Sequence, residues 1–445
     1  MQKLMVQKWL SCCGSKIIRQ GSVTLFSLWL AAGNVANAQT NQAPLDQFSP
    51  NPLEITTPDA LLPIPPKKGE TLDPEQSQEL GAALDILNLE AMAKLQAADT
   101  LGAFEIWNRE LRLRRYLGPA AEIPALNRVG KIAWEKNQNL QLQWITQRLQ
   151  AIQKKVLSES EINVELLKEL ALAFEQVRTK GPAVEVYQKI LEAARSQGDI
   201  LGEAQTLKAI AQLHTNWLNY EKAAAVYEEL TTLIQENRNL FLVIPPTRNS
   251  TPPRQNNSNT PPPVTNPTEE DALKQLAFSY EQAKKPLLAI AARERLVSLY
   301  LTQQNLPAIP PLKMAIALNY ETLGQLNLAN QYYQETYASA LVVQQFSFAS
   351  EALQKMAKLY LFEKQWEAAL KIYQVQLTVE QQSYNWYGVM DTYDQIGMVY
   401  MELKAYPQAL AAYQRGLEIA QQLNHKQEYF AKKIQKLNQR LKPSS

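Results

Sequence analysis

Cysteine and histidine are scarce in this 445-residue sequence, and their placement is restrictive. Both cysteines, Cys12 and Cys13, precede an apolar stretch at residues 23–32, and the only histidines are His214 and His425. After residue 13, the chain therefore offers no disulfide bond, no thiol nucleophile and no cysteine metal site. The histidines are not at ligand spacing, so we expect no zinc or copper site either.

Glycine is also sparse, with 15 residues in the chain. The sequence contains no glycine-rich phosphate loop and no Gly-x-Ser-x-Gly nucleophile elbow. Together with the scarcity of cysteine and histidine, these absences predict a protein that is not an enzyme and needs no cofactor.

The charge has no strong bias of either sign. The chain carries 45 lysine and arginine residues against 43 acidic ones, and four of the basic residues but none of the acidic ones lie within residues 1–38. Without that segment the count is 41 against 43. A nearly neutral chain lacks the concentrated basic face that nucleic acid requires, so we expect no nucleic-acid partner.

Residues 1–38 have the pattern of a secretory signal peptide. Basic residues up to Arg19 precede the apolar core Val23–Ala32, and Ala36 and Ala38 provide small residues before a cleavage site. The core is about ten residues long, too short to cross a bilayer of roughly 30 Å as a helix. The pattern predicts cleavage after Ala38 and export to a periplasm or a thylakoid-lumen-like compartment. An uncleaved anchor or a buried helix is the alternative.

Proline divides the rest of the chain. Residues 39–73 contain seven prolines and predict a disordered arm. Residues 241–268 are rich in proline, asparagine and threonine and predict a surface loop, either a spacer or an extended recognition element. Helical patterns fill residues 74–240 and 269–424, and residues 425–445 read as a capping helix and tail.

Small residues recur in the helical segments at a fixed interval. We call the first set the A series: Ala171, Ala211, Ala277, Ala317, Ala357 and Gly397. Neighbours are 40 residues apart, except for 66 across the proline-rich loop. Twelve residues after each member comes the B series: Ala183, Ala223, Ala289, Ala329, Ala369 and Ala409. An aromatic residue usually follows the A series at plus three and at plus sixteen, with His214 and Arg293 as exceptions.

This spacing predicts pairs of antiparallel helices. Two helices approach closely where both present a small side chain, so the A series marks the crossing on a first helix, A, and the B series on a second, B. The plus-sixteen aromatic follows the B-series alanine by one turn and fills the gap toward neighbouring helices. One pair buries too little surface to be stable alone, so the pairs must stack.

The pattern in EALQKMAKLYLFEKQWEAALKIY (Glu351–Tyr373) resembles the tetratricopeptide repeat. The resemblance implies an all-α fold, a right-handed α-solenoid of stacked antiparallel helix pairs interrupted by the proline-rich loop. The period of 40 residues departs from the usual 34 and implies either longer helices or longer turns. Six units are clear. Gly130 and Ala91 mark two degenerate units upstream.

His214 takes the plus-three aromatic position of its unit, so we interpret it as a core residue and not as a general base. A second feature is the run of Arg109, Arg112, Arg114 and Arg115. It is either a docking patch for an acidic partner or lipid headgroup, or a solvated helix face paired with neighbouring glutamates.

The resemblance implies that helices A line a concave groove. One residue after each A-series member lies a set that we call the plus-one stripe: Leu172, Gln212, Phe278, Leu318, Lys358 and Met398. Three residues before the A series come Lys168, Lys208 and Lys274. The asparagines with which some family members clamp a carboxylate are absent. The mostly apolar stripe predicts binding of a helix or extended peptide, unless adjacent helices or the proline-rich arm cover it.

These observations predict an exported scaffold that binds a protein or peptide partner in its groove. From the resemblance, assembly of a membrane protein complex is one implied role. The alternative is a structural or secretion component of the cell envelope, tethered by the arm at residues 39–73.

Overall fold

The computed structural model describes four ranges of the chain: 51–66, 71–159, 162–241 and 266–441. Within these ranges the regular structure is helical apart from one isolated bridge between Asp59 and Leu62. The predicted signal peptide at residues 1–38 and most of the proline-rich loop lie outside the described residues. The fold of the described chain is all-α.

Nine helices precede the proline-rich loop and nine follow it within the described residues. The first nine are α1 (Pro74–Gln96), α2 (Thr100–Arg114), α3 (Pro119–Glu135), α4 (Asn139–Val156), α5 (Val164–Gln176), α6 (Lys180–Gln197), α7 (Ile200–Asn216), α8 (Tyr220–Glu236) and the single turn α9 (Arg238–Phe241). The others are α10 (Glu269–Gln282), α11 (Pro286–Thr302), α12 (Ile309–Thr322), α13 (Leu326–Val342), α14 (Phe346–Phe362), α15 (Trp366–Gln382), α16 (Trp386–Glu402), α17 (Tyr406–Gln422) and α18 (Gln427–Leu441).

Short turns join these helices into antiparallel pairs, each helix packing on the next. The A series lies on α5, α7, α10, α12, α14 and α16, and the B series lies on the helix that follows each of them. The two degenerate upstream units form the pairs α1–α2 and α3–α4, with Ala91 fully buried on α1. The described chain is therefore a stack of eight helix pairs and a final helix.

The turns of the C-terminal half close in the same way every twenty residues. Each turn has a residue in a left-handed conformation at this interval: Lys284, Gln304, Gly324, Gln344, Lys364, Tyr384, Lys404 and Asn424. The last turn has Lys426 as a second one. At the end of α14, the amide of Lys364 donates to the carbonyl of Leu361, and the amide of Gln365 donates to that of Tyr360. This is the paired hydrogen bonding of a Schellman cap, which satisfies carbonyls that the helix end leaves free.

Longer helices, and not longer turns, account for the period. From α13 to α17 each helix has 17 residues and each turn has three. Helices α11, α13, α15 and α17 begin at Pro286, Leu326, Trp366 and Tyr406, which are forty residues apart. Of the two explanations that the resemblance left open, the structure supports the first.

All twelve residues of the A and B series are buried. Gly397 shows why a small residue is needed, because a methyl group there would overlap the ring of Tyr413. Gly130 is similar, since a Cβ atom would lie 2.7 Å from the Cγ1 of Val177 on the next pair. The plus-sixteen ring therefore occupies the space that the small residue leaves.

Several plus-sixteen side chains also bridge their own helix pair. Tyr187 donates from its hydroxyl to Glu175, twelve residues earlier, at 2.6 Å. In the unit after the loop, Arg293 replaces the tyrosine and donates to Glu281, also twelve residues earlier, at 2.5 Å. The exception to the aromatic pattern thus keeps the same contact with an ionic donor.

The helix pairs before and after the proline-rich loop pack on each other. Helix α10 packs directly on α8, where the hydroxyl of Tyr280 lies 3.2 Å from Oε1 of Glu228 and the amide of Gln235 lies 2.9 Å from Glu269. A single hydrophobic cluster continues from Leu53 to Ile309. The insertion therefore leaves the packing of one pair on the next intact.

Helix α18 covers the last pair. Its Phe430 is fully buried and its Leu437 nearly so, and a side chain at Gly416 would overlap the Phe430 ring. The rest of the helix is mostly exposed and polar. A terminal element with one apolar and one polar face gives a repeat stack a soluble end.

Part of the predicted disordered arm is ordered. Within residues 51–66, Leu53 and Leu62 are buried. Asp59 accepts hydrogen bonds from Arg109 at 2.6 and 2.9 Å and from Arg112 at 2.9 Å. These guanidinium donors hold the pKa of Asp59 well below its usual range. The prolines alone suggested disorder, but two buried leucines and a paired carboxylate stabilise the ordered conformation of residues 51–66.

We predict that Ala317→Leu destabilises the stack. Ala317 is fully buried where α12 crosses α13, so the larger side chain has to displace its neighbours. Overpacking of this kind costs about 1–3 kcal/mol. The urea midpoint of unfolding, followed by far-UV circular dichroism, should fall accordingly.

The matched control is Ala338→Leu on the exposed face of α13, which adds the same atoms without a buried contact. Its midpoint should stay near that of the unmodified chain. Equal effects of the two substitutions would contradict the assignment of Ala317 to a close helix crossing.

A second prediction concerns the ordered arm. Asp59→Asn removes the charge that pairs with Arg109 and Arg112, so thermolysin should cleave within residues 51–66 several-fold faster at neutral pH. Because the folded-state pKa of Asp59 is depressed, its contribution is complete above the usual aspartate pKa of about 3.9 and is lost only as pH falls through the lower folded value. The attachment should therefore persist at pH 4.

Glu54→Gln serves as the control, because Glu54 is half exposed and lies 3.8 Å from Arg115 and Arg148. Exposed ion pairs of this kind contribute little to folding stability. Cleavage as slow in Asp59→Asn as in Glu54→Gln would show that the ion pair does not hold the arm.

Candidate functional site

The plus-one stripe lies largely in solvent. Leu172, Phe278 and Met398 are 43%, 41% and 37% exposed. Gln212 and Lys358 are also exposed, whereas Leu318 is half-buried. Because each residue follows a buried A-series residue by one position, all six occupy the same place on successive helices A. Three large apolar side chains are thus presented to water at equivalent positions of the repeat.

Phe278 has an aromatic neighbour from the preceding pair. Its ring meets that of Tyr220, at the start of α8, edge to face with centroids 5.9 Å apart. Edge-to-face pairs hold rings in a defined orientation. The stripe therefore has an aromatic side chain near its middle that is held by a neighbouring ring and still 41% exposed.

The three lysines that precede the A series form no free cationic strip. Lys168 pairs with Glu165 at 2.8 Å, and Lys274 pairs with Glu270 at 2.6 Å. Lys208 is half-buried. The paired lysines keep nearly half of their side-chain surface in solvent, so these pairs are weak and can be exchanged for a ligand carboxylate.

The arginine run on α2 is occupied by the protein itself. Arg109 and Arg112 bind Asp59, and Arg115 donates to the carbonyls of Leu53 and Ile55. Arg114 pairs with the fully buried Glu110 at 2.7 Å. The run is thus not a free docking patch. Arg114 pairs with a neighbouring glutamate, as the second alternative expected, whereas the other three arginines bind residues 51–66. No local pattern in the sequence indicates that these arginines bind residues of the arm.

His214 lies in the core, 7% exposed, near the end of α7. Burial, with Lys180 and Lys222 nearby, lowers the pKa of His214 to about 4. The imidazole is therefore neutral at neutral pH. Its Nδ1 has no hydrogen-bond partner within the described residues.

A cavity lies between α14 and α16, next to the end of α15. Its volume is about 570 Å³. It is lined mainly by polar side chains, four of them carboxylates: Glu351, Glu380, Asp391 and Asp394. The other polar residues that matter for its geometry are Ser350, Gln376, Asn385 and Lys426.

A chain of hydrogen bonds organises the wall of this cavity. The amide of Gln376 donates to the hydroxyl of Ser350 at 3.2 Å, and that hydroxyl donates to Oε1 of Glu380. The amide of Asn385 donates to Oε2 of Glu380 at 2.7 Å. Glu380 is only 4% exposed, and neutral donors alone hold its carboxylate.

Gly388 permits this arrangement. It lies in the first turn of α16, and a Cβ atom there would overlap the carboxylate of Glu380. The absence of a side chain lets the carboxylate approach the helix N-terminus, where the partial positive charge of the helix favours an anion.

Sequence reasoning missed this site, although the repeat contains the signal. At the position of Glu380, other units carry apolar or aromatic residues that are all buried: Ala194, Ile234, Tyr300, Ala340 and Ala420. A carboxylate at a core position is unusual and requires hydrogen-bond partners. Alignment of helices B by the forty-residue interval would have singled out Glu380.

Neither a metal centre nor a membrane span emerges from the described residues. Across the ranges between residues 51 and 441 that the structure describes, no three histidine, cysteine or acidic side chains are placed to hold a metal ion. In the same ranges no helix combines the length and apolar character needed to cross a bilayer.

No family model and no curated protein matches the chain. The solved structures that show similarity include BtubC (BKLC) from P. vanneervenii, a putative kinesin light chain with TPR-like repeats from Podosopora anserina, and the apo form of RapI. BtubC has 15% identity over 54% of this chain and 91% of its own, with a TM-score of 0.32. The kinesin light chain has 12% identity over 52% and 97%, with a TM-score of 0.31. RapI has 8% identity over 81% and 99%, with a TM-score of 0.35.

Similarities this low carry no argument about function, and the fold rests on the helix pairs of this chain. Those pairs, stacked through small residues at their crossings, define an all-α solenoid of the tetratricopeptide type.

We predict that His214→Phe makes folding less sensitive to acid. The folded-state pKa of about 4 lies below the unfolded value of about 6.5, so His214 favours folding fully above pH 6.5 and loses that contribution as pH falls toward 4. Phenylalanine, which Phe174 provides at the equivalent position, removes the proton site. Urea midpoints at pH 7 and pH 4.5 measure the difference.

His425→Phe is the control, because His425 is exposed. Its acid sensitivity should match that of the unmodified chain. If His214→Phe leaves the fall in midpoint between pH 7 and pH 4.5 unchanged, the core role given to His214 is incorrect.

Proposed function

We propose that the protein is a binding scaffold that holds a segment of another protein along the plus-one stripe. The observation that carries the proposal is the exposure of Leu172, Phe278 and Met398 at one equivalent position of the repeat. Isolated exposed apolar residues need no explanation, but a set at one equivalent position of stacked helices favours a binding surface, which we call the track.

The spacing of the track suits a helical or extended peptide. Successive positions of the stripe lie on successive helices A, with one helix B between them along the chain, so a bound peptide would have to span one helix pair for each position. Apolar side chains of the partner would cover Phe278 and its neighbours. Lys358 and Gln212 would supply polar contacts between them.

The protein's own arm does not cover the track within the described residues. Residues 51–66 pack on α2 and α4, where Asn51 bonds to Gln147 and Asp59 to Arg109. The plus-one stripe begins on α5. The interpretation in which the arm masks the stripe therefore has no support from the described contacts.

Export is part of the proposal. The signal pattern of residues 1–38 supports processing after Ala38 and action in a periplasm or a thylakoid-lumen-like compartment. Two roles fit such a location. The protein either binds a partner in a membrane protein complex or is a structural component tethered through the proline-rich arm. The N-terminal residue of the protein recovered from that compartment tests the processing step.

The experiment for the track replaces Leu172 and Phe278 by lysine in one variant. Charge at these two positions should abolish retention of the partner, because a peptide that buries apolar side chains there would have to desolvate two ammonium groups. Co-purification from native membranes and quantitative mass spectrometry measure the retained protein, with at least a tenfold loss expected.

Leu287→Lys with Leu301→Lys is the matched control, since both leucines are exposed on α11, a helix B, and lie outside the stripe. Partner recovery should be unaffected by that pair. Recovery that is unchanged in the Leu172 and Phe278 variant, with circular dichroism showing intact helix, would reject the track.

A further inference from the structure

We infer that the cavity between α14 and α16 binds a basic side chain, the guanidinium or ammonium group of the partner segment. The inference rests on the proposed function, because it gives the chemistry of one side chain of the partner. It adds a specific, charged position to a track that is otherwise mostly apolar.

The charges that line the cavity are not balanced by the protein. Lys426 pairs with Asp391 at 2.7 Å, and Lys433 pairs with Asp394 at 2.5 Å. Within the described residues, no basic side chain forms an ion pair with Glu351 or Glu380. Two carboxylates on one cavity wall therefore lack a cation, and one of them is almost completely buried.

A second observation points to a ligand. Gln376 is 5% exposed and lines the same cavity, and its Oε1 accepts no hydrogen bond within the described residues. A buried acceptor without a donor is destabilising, because it has lost its hydrogen bonds to water. A guanidinium group carries five N–H donors and an ammonium group three, so either can serve Gln376 and Glu380 together.

A purely structural role does not account for Glu380. Its carboxylate lies at the start of α16, yet the turn before α14 closes with the same backbone hydrogen bonds and has Ala340 at the equivalent place. The turn after α17 likewise has Ala420. Closing the turn does not need a carboxylate, whereas Ser350, Asn385 and Gly388 together hold one at the cavity wall.

A basic side chain fits this site better than a metal ion. The described residues place no three metal-binding side chains around one point. The cavity is also large enough, at about 570 Å³, to admit a long side chain. An arginine or lysine can bury its methylenes beside Phe346, which also lines the cavity, and bring its charge to Glu380.

The test uses N-acetyl-arginine amide and N-acetyl-citrulline amide as probes with the full chain. Citrulline has nearly the same shape but no charge. Saturable binding of the arginine probe is expected with a dissociation constant of about 1 mM, at least tenfold tighter than the citrulline probe. Saturation-transfer NMR or calorimetry measures both. No preference for the arginine probe overturns the inference.

Variants locate the site. Glu380→Gln should weaken the arginine probe at least tenfold, and the exposed Glu351→Gln should weaken it several-fold without risk to folding. Glu367→Gln is the control, an exposed glutamate at the other end of α15. Arginine binding that survives both Glu380→Gln and Glu351→Gln overturns the inference. Loss of the partner in the Leu172 and Phe278 variant is a separate readout, so failure of the track and failure of the cavity are distinguishable.

Discussion

The close crossing of two helices at a pair of small side chains is the contact on which the whole molecule depends. Each crossing lets a tyrosine or arginine sixteen residues further on reach back across its own pair, as Tyr187 and Arg293 do. Each pair leaves an apolar face that only the next pair can cover. Because the turns repeat every twenty residues, the crossings recur at one interval and every helix A presents the same positions outward.

That regularity explains how much of the fold the sequence could predict. Fixed spacing of alanine and glycine is a local signal that survives in the primary structure, so helix pairs and their stacking follow from it. The order of residues 51–66 was harder to predict. Asp59 and the arginines of α2 that bind it are fifty positions apart, and no repeating sequence pattern marks such a contact. Composition alone pointed to disorder there, and tertiary contacts overrode it.

The two candidate sites also differ in how far the sequence predicts them. Exposure at the plus-one stripe could be anticipated from its place beside buried residues, although the half-buried Leu318 shows that neighbouring side chains modulate it. The cavity between α14 and α16 could not be anticipated, because it requires Ser350 on α14 to bond both to Glu380 and to Gln376 on α15, about thirty positions further along the chain. The repeat determines how the helices pack, whereas residues that depart from it, such as Glu380, determine the chemistry of the cavity.

The central claim is that the helix pairs are interchangeable units forty residues long, and deletion tests it most directly. Removal of residues 326–365 deletes α13 and α14, puts α15 in the place of α13 after α12, and preserves the spacing of the remaining crossings. Removal of residues 326–355 breaks the interval. The account predicts that helix content per residue, measured by circular dichroism, and a cooperative unfolding transition both persist in the first deletion and fail in the second. Equal damage from the two deletions would contradict it.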